Sequence, residues 1–252
     1  MYILLVLSPS KTMDFSCRNA FSMRTTPMFA AEAESLMHQL QSFSLQELIQ
    51  REKLSVKMAM AVLESYQRFF ALDQPQQAAL FAYHGTAFEQ LNAATLSAEQ
   101  LTFANDHLLI FSALYGLLRP FDLIRPYRLD MKSALLPSLY AFWQDRINDV
   151  IGKIFAESGG TLINLASNEY FQLVNRQQLP KDVEIITPVF RQEREGKLVT
   201  NSLYAKQARG LMARFIIEHQ LMDVEPIQSF MDQGYVYMPE LSSANEWVFV
   251  RY

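Results

Sequence analysis

The chain has 252 residues, 50% of them apolar, a formal net charge of -4 and a pI of about 5.6; it can bury a large core, and it is not a polybasic binder whose whole surface is positive. Its single cysteine, Cys17, excludes an intramolecular disulfide and any thiolate-rich zinc or iron–sulfur site, since those need several sulfurs. The apolar run Tyr2 to Leu7 is far short of the roughly 20 residues that span a bilayer and shorter than a signal h-region, so the expectations are no membrane partner and a cytoplasmic location.

Ile3 to Leu7 reads as a buried strand that stops at Ser8-Pro9. Ser8 to Thr12 (SPSKT) then places three hydroxyls and the Lys11 ammonium at a strand's carboxyl end, where α/β proteins bind ligands. This turn suits an anion, and equally suits a plain strand ending with a surface lysine. From about Ala30 to Leu101 apolar residues recur at helical spacing: Met37, Leu40 and Phe43, then Val56, Met60, Leu63, Tyr66 and Phe70. His84-Gly85-Thr86 interrupts the pattern, and Thr95 or Ser97 is placed to cap the helix that follows. Leu108 to Phe111 fits a helix or a second buried strand; periodicity does not separate them.

The next stretch, FSALYGLLRPFDLIRPYRLDMK, carries Arg119, Arg125, Arg128 and Lys132 against Asp122 and Asp130. Two prolines disfavour a solvated helix, so a rigid, anion-facing surface is expected here. Leu139 to Phe155 predicts a helix with Phe142, Ile147, Ile151 and Ile154 toward the core, ended by Ser158-Gly159-Gly160. Strands are expected at Thr161 to Leu165, Val183 to Val189, Lys197 to Thr200 and Val248 to Val250, with Glu195-Gly196 as a hairpin turn. Asn164 to Tyr170 (NLASNEY) is a second polar cluster after a strand, with Ser167 or Asn168 as a helix cap. If its strand neighbours the first, Lys11 and Glu169 share a cleft, as an acid/base pair or a structural ion pair. On a helix over 203–217, Tyr204, Ala208, Leu211, Met212 and Phe215 share one face while Lys206, Arg209 and Arg214 straddle the other. Gly210 among them points to close approach by a backbone or a phosphate. His38, His84, His107 and His219 have no metal-ligand spacing, so no metal is assigned. The order of elements predicts one α/β (α+β) domain over residues 1–252, a mixed sheet flanked by helices.

SPSKT, SALYGLLRPFDLIRPYRLDM, INLASNEYF and YAKQARGLMARFI together resemble, in order and over nearly the whole chain, the motif blocks of the YaaA family of bacterial peroxide-stress proteins. The resemblance implies a single-domain fold, a positively charged cleft, a helix-hairpin-helix element that binds double-stranded DNA, and survival of peroxide by limiting free iron. Lys11, Arg119, Arg125, Arg128, Lys206, Arg209 and Arg214 fall on its motif positions. Ala113, His84 to Phe88 and the SSANEWVFVRY ending depart from the family pattern. The leading expectation is a monomeric DNA-binding protein of the peroxide response, using Lys11, Tyr115, Gly116, Arg119, Arg125, Arg128, Lys132, Lys206, Arg209 and Arg214. Residues 115–120 form the hairpin only if 108–111 is helical. No reaction, catalytic residue or cofactor is carried over. The rivals are an enzyme taking a phosphorylated or carboxylated small molecule near Ser8–Thr12 and Asn164–Tyr170, and an iron-handling protein. A groove about 20 Å wide favours DNA; a closed pocket of about 300 to 1,000 Å³ favours a small anionic ligand.

Overall fold

In the computed structural model, which describes residues 2–16 and 23–252, the apolar run at the start is a strand, β1 (Ile3–Leu7), buried at every position. It lies parallel between β3 (Leu108–Ser112) and β6 (Thr161–Leu165), both also buried throughout. Continuous apolar strands of this kind occur where both faces of a parallel sheet are covered. Beyond β6 come β7 (Glu184–Arg194) and β10 (Glu246–Arg251), again parallel. Antiparallel strands finish the sheet: β4 (Gly116–Leu118) beside β3, β9 (Tyr235–Tyr237) beside β10, and β8 (Lys197–Val199) paired with β7. The order is β4-β3-β1-β6-β7-β10-β9. A separate pair, β2 (Gln77–Ala78) and β5 (Leu123–Ile124), closes a second small sheet. The chain is therefore a single α/β domain with a mixed sheet, as its pattern predicts. Cys17 lies outside the described residues.

The helical stretch resolves into α1 (Ala30–Leu40), α2 (Leu45–Glu52), α3 (Val56–Gln67), α4 (Ala79–Ala82), α5 (Thr86–Leu91) and α6 (Ala98–His107). Of the two capping candidates before α6, Ser97 takes the role, in a reciprocal capping box with Gln100. Helix α7 (Leu139–Ser158) buries Trp143, Ile147, Ile151 and Phe155, whereas the expected core residues Phe142 and Ile154 are only partly buried. After β6 comes the one-turn α8 (Asn168–Phe171), and after β8 comes α9 (Ser202–Glu218), capped by the Asn201 side chain. Glu195 and Gly196, with φ of 54° and 75°, make the β7–β8 turn as expected. Among the described residues no helix is long and apolar enough to cross a membrane.

One expectation is overturned. Leu108 to Ser112 is strand, and it turns back antiparallel into β4 with Ser112 opposite Gly116 and Ile110 opposite Leu118. Residues 116–118 are thus the return arm of a β-hairpin, and the helix-hairpin-helix expected at 115–120 does not form there. The reason is tertiary: this run is covered on both faces and hydrogen-bonds to β1, so its apolar residues are continuous rather than helically spaced. Gly116 takes φ +70°, and a Cβ there would press on the Trp143 ring. Gly116 is buried against that ring.

Candidate functional site

The chain runs from β1 to β3 on one side and later returns to β6 on the other side of β1. Strand order therefore reverses between β1 and β6, and in open α/β sheets ligands bind outside the strands' carboxyl ends at such a switch point. A cleft of about 340 Å³ lies there. The turn after β1 supplies Ser8 to Met13, and the segment after β6 supplies Ser167, Glu169 and Tyr170. Residues Gly85 to Phe88 at the start of α5, Tyr127 to Asp130, and Lys206 and Arg209 from α9 complete the lining.

Hydrogen bonds hold these walls in place. Ser8 Oγ accepts from Ser167 N at 2.8 Å and donates to Ser167 Oγ at 3.1 Å, tying the ends of β1 and β6. Ser10 Oγ donates to the His84 carbonyl at 3.1 Å, and His84 N donates to the Thr12 carbonyl at 2.9 Å. Beneath them, Tyr127 Oη lies 2.7 Å from both Tyr83 Oη and Ser112 Oγ. Burial pushes the Tyr127, Tyr83 and Tyr170 phenols well above their usual range. For Tyr170, the neighbouring Tyr127, Asp130 and Glu169 add to that shift. Helix α9 approaches α5 through Gly210, where a Cβ would run into the Ala87 carbonyl. That contact holds Arg209 against the cleft.

Charge in the cleft divides into used and unused groups. Lys11 Nζ bonds Asp130 Oδ2 at 2.6 Å, and this pair is partly exposed. Lys11 and Glu169 do line one cleft, but Lys11 pairs with Asp130. Arg209 is largely buried, which pulls its pKa down, and its Nε has no hydrogen-bond partner. Among the described residues, the side chains of Arg128, Lys206 and Glu169 likewise make no hydrogen bond or ion pair. Buried polar groups in folded proteins almost always have partners, and a guanidinium is a group that phosphate or carboxylate oxygens satisfy.

Of the ten residues singled out by sequence, Lys11, Arg128, Lys206 and Arg209 meet here. The other six do not line this cleft. Arg119 is committed to the fully buried Asp122, with Nη2 at 2.9 Å from Oδ1, and to the Thr26 carbonyl. Arg125 donates to the Phe69 carbonyl and lies over the Phe69 ring. Arg214 donates to the carbonyls of Leu91 and Asn92, to Thr95 Oγ1 and to Glu218. Tyr115 and Gly116 are buried, and Lys132 is exposed. His84 lies 3.5 Å from Glu89 and does not line the cleft. Asp130, Thr86 and Tyr127 are cleft residues that sequence reasoning did not single out. Only the adjacency of Tyr127 and Asp130 to Arg128 offered a signal. Among the described residues no three His, Cys, Asp or Glu gather to hold a metal.

A family model described as peroxide stress protein YaaA matches residues 3–241. A UPF0246 protein of Magnetococcus marinus is 40% identical over 257 residues, covering 99% of each chain. UPF0246 proteins of Neisseria gonorrhoeae and Alteromonas mediterranea are 38% and 40% identical, each covering 99% of this chain and 98% of its own.

Proposed function

This chain belongs to the peroxide stress protein YaaA family, and from that membership we propose that it serves the peroxide response, as a cytoplasmic monomer, by binding a small phosphorylated or carboxylated molecule in the switch-point cleft. The observation that carries the reading is the placement of Arg128 and Arg209 in one cleft of about 340 Å³, their side chains making no hydrogen bond or ion pair among the described residues and Arg209 Nε buried and unpartnered. That volume lies in the range of small-molecule sites, about 300 to 1,000 Å³, and arginine forks read phosphate and carboxylate alike. A ligand at a hundredfold excess over its Kd stabilises the folded state by about 2.7 kcal/mol, which raises the Tm of a domain this size by about 5 to 10 °C. Thermal unfolding with inorganic phosphate, nucleotides and organic acids tests this. Arg209→Gln is expected to abolish the shift; an equal shift in that variant refutes the reading.

Double-stranded DNA, the partner implied by the sequence resemblance, is the second reading. Exposed Lys11, Lys132 and Lys206 favour it, since none is buried in the fold. Duplex titration across a salt series separates the two readings: phosphate contacts give a log-log slope of about -0.9 each, while a single cleft-bound anion gives a shallow dependence. Limitation of iron-driven damage is tested in cells lacking the protein, complemented with wild type or Arg209→Gln and challenged with peroxide. Loss of survival together with raised chelatable iron in the variant would tie the cleft to that outcome.

A further inference from the structure

The cleft holds four cations, Lys11, Arg128, Lys206 and Arg209, and two carboxylates, Asp130 and Glu169. Opposite charges that can reach each other pair, as Lys11 and Asp130 do at 2.6 Å. Among the described residues Glu169 does not, although Arg128, Lys206 and Arg209 line the same cleft and their side chains make no hydrogen bond or ion pair with described residues. Its backbone carbonyl is bound by Tyr140 Oη and Gln172 Nε2, and it lies in the short helix α8, so the side chain is anchored at its root while its carboxylate remains unused. Beside it stands Tyr170, a phenol kept protonated by burial.

Charges held apart in a cleft, unpaired with each other, keep their field for a ligand, at the cost of stability in the empty protein. A ligand that is only an anion meets repulsion from Glu169. One that also carries donors satisfies both poles, because an ionised carboxylate only accepts hydrogen bonds. We infer that the cleft selects a bipolar ligand: its phosphate or carboxylate is gripped by Arg128, Arg209 and Lys206, and its hydroxyl or ammonium donors are read by the Glu169 carboxylate. This rests on the anion site proposed above and deepens it.

Calorimetric titration of the full chain with inorganic phosphate, ribose 5-phosphate and phosphoethanolamine tests the inference, the last two separating hydroxyl from ammonium donors. At least one of the two is expected to bind about tenfold or more tighter than phosphate, the weight of one charge-assisted hydrogen bond. Glu169→Gln and Glu169→Ala are expected to erase that advantage while leaving phosphate affinity equal or higher, with thermal unfolding confirming that both variants fold. If phosphate and both bipolar probes bind equally and all are lost in Arg209→Gln, the bipolar inference is overturned while the anion site stands. If no probe binds wild type, both fall.

Discussion

Arg209 and Arg214 lie five residues apart on α9 and meet different fates. Arg214 ties the carboxyl end of α5 to α9 through three acceptors and Glu218, whereas Arg209 reaches the cleft with Nε unpartnered. Replacing Arg214 by alanine should therefore lower stability by about 1 to 3 kcal/mol, from lost hydrogen bonds to a charged group, and leave anion affinity unchanged. The same contrast separates Arg125 from Arg128. Arg125→Ala is expected to lower the Tm without changing binding, because its guanidinium is spent on Phe69; Arg128→Ala is expected to weaken binding with little effect on the Tm. Asp130 competes with any anion for Lys11. Asp130→Asn should strengthen anion binding by up to about fivefold, since a partly exposed pair is worth about 1 kcal/mol or less. Calorimetry beside a thermal scan reads all of these.

At the scale of elements, the decisive contact is α5 against α9. Gly210 allows α9 to meet the backbone at Ala87, and the cleft's cationic wall stands where that contact puts it. Gly210→Ala is expected to destabilise by about 1 to 3 kcal/mol, the usual cost of overpacking, and to weaken anion binding as Arg209 is displaced. Removing the cap of the same helix with Asn201→Ala costs about 1 kcal/mol and leaves the wall in register. Comparing the two variants by urea unfolding and by phosphate titration separates helix stability from helix placement: only Gly210→Ala should change both.

For the whole molecule, the parallel strands bring segments more than 150 residues apart to one edge, so the cleft exists only in the assembled sheet. The buried phenols give a pH response of definite sign. Tyr66, Tyr83, Tyr115, Tyr127 and Tyr170 all have pKa values raised by burial above the ordinary value of about 10. Above that pH the unfolded chain releases protons that the folded state retains, so the folded state binds more protons and stability falls as pH rises. Denaturant unfolding should show no loss from these phenols up to about pH 9 and a steep decline beyond pH 10. Tyr83→Phe should make that decline shallower, because one raised phenol is removed.

Much of the fold was legible along the chain. Ile3–Leu7 and Thr161–Leu165 are strands because buried parallel strands need continuous apolar runs, and the Glu195-Gly196 turn follows from local backbone chemistry, whereas the choice of Ser97 over Thr95 as cap was left to the structure. Several segments that line the cleft were legible too, in SPSKT, NLASNEY and the basic helix. What sequence could not decide was which charges remain free. Arg119, Arg125, Arg128 and Arg214 look equivalent in a string of letters, yet Asp122, Phe69 and the end of α5 claim three of them. Such pairings depend on distances between segments far apart in the chain, which only the folded sheet sets. For the same reason Leu108 to Phe111 were ambiguous locally: a neighbouring strand, not their own periodicity, made them one arm of a β-hairpin.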